Sequence, residues 1–191
     1  MNKLIDIFKS DIFKKCVIWF LMYSFIGWFY EVFLEVVVYR WGFSNRGVLL
    51  GPYCPVYGFG AMAFIFLIYP LLKDKKLLHK ILLIPIIFLL CGLVATGIEL
   101  VTSYLCEWIL GYWPWDTYAR DYAIHFQGRI ALSPSIRFGL GGAVFLYCLQ
   151  PIFEKLVIKL NNTKLSLISN IILIWLFIDI IITIILKIIG S

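Results

Sequence analysis

CVIWFLMYSFIGWFYEVFLEVVVY, residues Cys16–Tyr39, runs for 24 positions with only two charged side chains, Glu31 and Glu35. A helix needs about 20 apolar residues to cross a bilayer, so this stretch is long enough, and both acids fall in its second half. Four more apolar runs follow, at Val56–Leu72, Ile81–Leu105, Ile136–Phe153 and Leu165–Ile189. The second and fourth of the five are short, at 17 and 18 residues, and each begins beside a Gly/Pro or Ser/Pro cluster. The whole chain of 191 residues is 62% hydrophobic and 15% charged, with a mean hydropathy of +0.94. Soluble domains carry about 25% charged residues, so this chain has too little polar surface to cover a water-facing globule. The fold class expected is all-α: a polytopic transmembrane helical bundle of five spans. A single transmembrane domain covers residues 16–191. Before it, LIDIFKSDIFKK (4–15) places Leu4, Ile5, Phe8 and Ile12 at helical spacing, which predicts a cytoplasmic interfacial segment over residues 1–15. No cleavable signal is expected, because the first apolar run is too long and no small-x-small site follows it.

Charge sets the expected orientation. Lys3, Lys9, Lys14 and Lys15 precede span one. Lys73, Lys75, Lys76 and Lys80 follow span two, and Lys155, Lys159 and Lys164 follow span four. With five spans these three regions share a side and hold 11 of the 17 basic residues, so that side is cytoplasmic by the positive-inside rule. The protein is then a multi-pass cell-membrane protein with its N-terminus inside and its C-terminus outside. The net charge of +6 reflects this topology, and no nucleic-acid-binding pattern accompanies it. All five arginines, Arg40, Arg46, Arg120, Arg129 and Arg137, fall on the outer side. A guanidinium suits bidentate contact with carboxylate or phosphate, whereas lysine suffices for topology.

The five cysteines, Cys16, Cys54, Cys91, Cys106 and Cys148, show no CxxC or Cys/His cluster. No metal framework and no cofactor is expected. Cys54 and Cys106 either pair or remain unpaired thiols.

Ionisable groups within spans are costly and usually face an interior or a wet cavity. Glu31 and Glu35 are four apart, on one helix face. Glu99 sits in the outer half of span three. The simplest arrangement sets Glu31, Glu35 and Glu99 opposite Arg46, Arg129 and Arg137 in a polar site at the outer leaflet. Ion pairs that only fix helix packing are the other reading. Asp179, in an otherwise aliphatic span, fits an oligomer contact as well.

The connection NRGVLLGPYCPVYGFG, Asn45–Gly60, is dense in helix breakers. Gly47 and Gly51 permit close backbone approach, and Pro52 and Pro55 stop helix from continuing through the loop. Tyr53 and Tyr57 suit an interface with wet hydroxyls. Irregular backbone at membrane depth survives only where it is buried in protein or lines a cavity. The segment is therefore expected to be a re-entrant or lid-like loop that, with Asn45 and Arg46, holds a carboxylate or phosphate; a tight packed turn is the alternative. The second outer loop echoes it. After WPWD (113–116) comes FQGRIALSPSIRFG (126–139), and span four opens with GLGG (139–142) as span two opens with YGFG (57–60). Trp108, Tyr112, Trp113, Trp115 and Tyr118 suit an interfacial belt. Each half thus reads as an acid-bearing helix, an Arg/Gly loop and a Gly-rich helix, a weak parallel duplication of the kind transporters use.

GWFYE (27–31), NRGVLLGPYCPVYGFG, Glu99, the Trp115-Asp116 pair and GRIAL (128–132) before a Gly-rich span together resemble the "Putative ABC-transporter type IV" (CmpB-like) family of membrane proteins. The resemblance spans about Trp19 to Phe153. It implies a transport component whose motif residues are Gly27, Trp28, Glu31, Asn45, Arg46, Gly47, Gly51, Pro52, Cys54, Pro55, Tyr57, Gly58, Glu99, Trp115, Asp116, Gly128 and Arg129. After Trp115-Asp116 the chain departs from the family pattern, with WDTYARDYAIHFQGR in place of a shorter approach to the Gly-Arg pair.

Three functions are compatible with these residues. The first is a permease-like component that binds or moves an anionic or amphiphilic solute through a Glu/Arg-lined site. The chain has no phosphate-binding loop motif, so a separate ATP-binding subunit would supply hydrolysis, and a homodimer would complete a path through the bilayer. The second is a non-catalytic membrane scaffold or regulator. The third is an intramembrane enzyme acting on a lipid-linked substrate, although no nucleophile–base signature is present.

Overall fold

The computed structural model describes residues 10–189. Most of the predicted interfacial segment, residues 1–9, lies outside them; its described end opens the first helix. Helix α1 (Asp11–Phe33) starts at Ser10, whose hydroxyl accepts the Phe13 N–H at 3.2 Å. Asp11 adds a negative charge to the first turn, where the helix dipole favours it. The helix continues as a π turn over Leu34–Val38, so the apolar helical run is Asp11–Val38. Helix α2 (Pro55–Leu67) has proline at its first position, where no N–H is needed, and ends in a 3-10 turn at Tyr69–Leu71. A short helix α3 (Leu77–Leu82) precedes α4 (Ile84–Leu110), which stops at Gly111 in the left-handed conformation (φ 79°). The connection after α4 holds α5 (Tyr118–Asp121) and a hairpin of two-residue strands, β1 (His125–Phe126) and β2 (Ile130–Ala131). Helix α6 (Leu132–Val144) passes through a π turn (Phe145–Leu149) into α7 (Gln150–Ile158). Helix α8 (Asn162–Ile189) begins after Asn161, whose side chain accepts the Lys164 N–H at 2.9 Å.

Among the described residues four helical runs are long and apolar enough to cross a membrane: Asp11–Val38, Ile84–Leu110, Leu132–Ile158 and Asn162–Leu186. At 1.5 Å per residue, runs of 25–28 residues extend roughly 38–42 Å, more than the ~30 Å of hydrocarbon. The second expected span is a shorter apolar helix, Pro55–Leu71. Leucine, isoleucine and phenylalanine remain exposed along all these helices, as a lipid-facing surface requires.

The chain divides into two compact units, Met1–Met62 with Phe153–Ser191, and Ala63–Ile152. In the first, α1 packs on α8, and α2 lies against α1 at extreme proximity: a Cβ on Gly27 would sit 2.2 Å from the Tyr57 ring, and one on Gly58 would sit 2.4 Å from the Ser24 hydroxyl. In the second, α4 packs on α6 through Gly139, against Phe88, and Gly142, against Cys91. Small residues let helix backbones approach where lipid offers no hydrophobic drive to associate.

Candidate functional site

In the first unit one face of α1 carries Ser24, Gly27, Trp28, Glu31 and Glu35, at the three- and four-residue spacing of a helical stripe. The loop before α2 and the first turn of α2 contact that stripe at several points. The Cys54 N–H reaches the Ser24 carbonyl at 2.9 Å, and the Tyr57 hydroxyl donates to Glu31 Oε1. The Trp28 indole N–H donates to Asn45 Oδ1 at 2.8 Å, while Asn45 Nδ2 closes the loop on the Leu50 carbonyl at 2.9 Å. Glu35, only 7% exposed and inside the π turn, receives the Arg46 fork: Nη2 at 2.9 Å from Oε1 and Nε at 3.1 Å from Oε2. Ser44 adds its hydroxyl at 2.7 Å and its N–H at 3.3 Å. A carboxylate buried this far is tolerated because its acceptor sites are filled by a bidentate guanidinium and two further donors.

The loop is held on its other side by α8. The Asp179 carboxylate, 5% exposed, accepts the N–H of Leu50 at 3.1 Å and of Gly51 at 2.9 Å, the Thr183 hydroxyl at 3.1 Å, and the buried Tyr53 hydroxyl. Gly51 has no side chain because the Tyr53 ring occupies the space, 2.2 Å from where its Cβ would stand. Gly47 is at φ 104°, a conformation that favours glycine. Burial, reinforced by the Asp179 hydrogen bond, raises the Tyr53 phenol above its ordinary range. Burial, with the Glu31 charge adding and Arg46 opposing, pushes the Cys54 thiol up to about 12.

The second unit repeats the logic on α4. Thr96, Glu99, Ser103 and Glu107 share one face. The Thr96 hydroxyl meets Ser135 at 2.7 Å, and the Tyr118 hydroxyl donates to Glu99 Oε1 at 2.9 Å. Arg129, 7% exposed, donates to the Ser103 hydroxyl at 3.4 Å and pairs with Glu107. Its guanidinium lies 4.0 Å from the Tyr104 ring centre and 4.1 Å from that of Trp113, a double cation–π contact. The backbone is clamped too: the Trp115 indole N–H donates to the Arg129 carbonyl at 2.8 Å. Gln127 (φ 52°) and Gly128 (φ 68°) turn the hairpin that delivers Arg129, closed by its N–H on the Phe126 carbonyl at 2.9 Å. Successive positive-φ residues match a type I′ turn.

The residues singled out in the sequence therefore fall into named places. Glu31, Glu35, Asn45, Arg46, Gly51, Tyr53 and Tyr57 each make hydrogen bonds in the first unit, with Gly47 in the same loop, and Glu99 and Arg129 make theirs in the second. Arg137 lies on the Ser133 hydroxyl at 3.0 Å and the Tyr122 hydroxyl at 3.3 Å. Asp116 is exposed in the turn before α5. Asp179, weighed as an oligomer contact, is an intramolecular ligand of the loop. Glu107 and Ser44 were missed; Glu107 carried a signal, two turns beyond Glu99 on the same helix face. The five cysteines form no disulfide among the described residues, and no group of three metal-ligating side chains occurs there.

Long apolar helices that carry carboxylates held by arginine, tyrosine and backbone donors define a multi-pass α-helical membrane protein. The chain belongs to the family described as "Putative ABC-transporter type IV", whose model matches residues 18–184. No curated protein and no solved structure matches it.

Proposed function

We propose that the protein is a permease-like component that binds or moves an anionic or amphiphilic solute, with ATP hydrolysis supplied by a separate subunit and a homodimer completing the path. One observation carries this reading. The Gly/Pro loop is held by exchangeable anionic contacts: the Arg46 fork on Glu35, and the Leu50 and Gly51 N–H groups on Asp179. These donors match the oxygens of any carboxylate or phosphate. A solute anion that takes the place of either carboxylate releases the loop, so occupancy and loop position are coupled. Arg46 is accessible for such exchange, its side chain being 35% exposed. The proposed topology keeps the N-terminus and the lysine-rich connections cytoplasmic, with Pro55–Leu71 completing a fifth crossing and the Arg loops outside.

The test is a mild-detergent pull-down of the tagged chain from its own membrane, with mass spectrometry of proteins and lipids. A stoichiometric ATP-binding subunit, and transport lost on Arg46→Ala with abundance retained, are the expected results. No ATPase, with abundance falling on Arg46→Ala, would reject the permease reading.

A non-catalytic scaffold is the second reading, and a specific observation favours it: Glu35, Arg129 and Asp179 are all held by partners within the chain. Assembly defects without any transport phenotype in the same variants would select it.

A further inference from the structure

A groove of about 530 Å³ opens between the 3-10 turn that ends the α2 segment and the start of α4. One wall carries Pro70 and Leu71 and then Lys75. The other is built by α3 and the first turn of α4, with His79, Leu82, Leu83 and Ile86. These four recur at three- and four-residue spacing. They form one stripe across the α3–α4 junction, where Leu83 keeps a right-handed helical conformation. Both walls have the same order of polarity. Apolar side chains lie at the helical ends, and Lys75 and His79 lie at the connection. His79 and Ile86 are separated by about 10 Å of helix. Lys75 and His79 are exposed, and among the described residues neither makes a side-chain hydrogen bond or ion pair. None of the lining residues is an acid; Asp74, next to Lys75 in the chain and at φ 60°, is not part of the wall.

We infer that this groove binds an acidic phospholipid of the surrounding membrane, with its phosphate at Lys75 and His79 and an acyl chain along Leu82, Leu83 and Ile86. A lysine ammonium offers a phosphate charge-assisted hydrogen bonds, and an imidazole keeps at least one N–H to donate in either protonation state. Lys76 and Lys80, in the same short segment, add positive charge that draws an anionic lipid surface. The exposed Leu71, Leu82 and Ile86 side chains give a free anion nothing, whereas an acyl chain laid over them removes apolar surface from water. Depth agrees. Ile84–Leu110 extends about 40 Å, against ~30 Å of hydrocarbon, so its first turn lies at headgroup level with Lys75 and His79 just beyond it. The polar-to-apolar order follows the helix that enters the bilayer, as the parts of a lipid do, which favours lipid over a protein docked from the water. This inference stands apart from the transporter reading, since it concerns resident lipid and needs no movement of it.

The test is native mass spectrometry of the full chain, purified in mild detergent, with phosphatidylglycerol, beside diacylglycerol with the same chains and glycerol 3-phosphate without chains. The expected result is one retained phosphatidylglycerol whose occupancy falls about tenfold in Lys75→Gln, with thermal stability unchanged. Lys75→Arg should retain it, and Leu82→Gln should lose it by a smaller factor while keeping every charge. Leu82→Gln carries the test if Lys75→Gln fails to fold. Lys159→Gln, which removes an exposed lysine outside the groove, should match wild type. Equal retention by wild type, Lys75→Gln and Leu82→Gln overturns the inference, as does an equal loss in Lys159→Gln or equal retention of diacylglycerol. Displacement of the lipid by equimolar glycerol 3-phosphate would show a free-anion site and overturn it. So would a co-purifying protein, in place of lipid, that is lost in the same two variants.

Discussion

Asp179 and Gly51, 128 positions apart, are joined by a 2.9 Å hydrogen bond from the glycine N–H to a carboxylate buried in α8. The other oxygen takes the Leu50 N–H at 3.1 Å. A carboxylate suits two adjacent N–H groups because both its oxygens accept; an asparagine would turn a donor towards one of them. Asp179→Asn is therefore expected to cost about 1–3 kcal/mol and to speed amide exchange over residues 45–54, measured by hydrogen–deuterium exchange in detergent. Unchanged exchange there would show that α8 does not hold the loop.

Close packing of α1 and α2 makes two glycines irreplaceable. Gly27→Ala and Gly58→Ala both drive a methyl into side-chain atoms, whereas nothing lies within 4 Å of a Cβ on Gly60. The first two should each lose about 1–3 kcal/mol or more. Gly60→Ala should match or slightly exceed wild type, because alanine favours helix. Thermal unfolding of the three variants side by side decides it.

Arg129 is not replaceable by lysine. Lysine keeps the charge opposite Glu107 but loses the planar group held between Tyr104 and Trp113. Arg129→Lys is expected to lose about 1–3 kcal/mol and to change tryptophan emission. A variant with wild-type emission and stability would reduce Arg129 to a plain charge.

Cys54 gives a pH dependence with a definite sign. Its thiol rises from 9.0 to about 12, first through burial and then through the Glu31 charge. The folded chain thus keeps a proton that the unfolded chain gives up above 9, so this contribution is complete below pH 9 and is lost between 9 and 12. In a variant that keeps only Cys54, maleimide at pH 8 should label the buried thiol far more slowly in the folded chain than after unfolding in detergent. Equal rates would contradict the burial of the loop.

The polar faces of α1 and α4 were legible in the sequence because their spacing is local. Glu31 and Glu35 stand on one turn-to-turn face of α1, and Thr96, Glu99, Ser103 and Glu107 do the same on α4. In each unit the following Gly/Arg loop then lies back along that face: Arg46 meets Glu35, and Arg129 meets Glu107. Which acid each arginine selects was not legible. A guanidinium at the end of an irregular loop reaches several turns of helix, and the choice depends on loop geometry such as the positive φ of Arg40, Gly42 and Gly47, or of Gln127 and Gly128.

The sequence by itself determined the membrane class, the long apolar helices and the positions of the buried acids, because run length and helical period act within one segment. Tertiary structure alone decided the length of helix formed after Pro55, the pairing of Tyr57 with Glu31, and the fate of Asp179. A lone acid in an aliphatic helix is silent about its partner until folding brings it to backbone N–H groups 128 positions away, whose dipoles carry no side-chain signature.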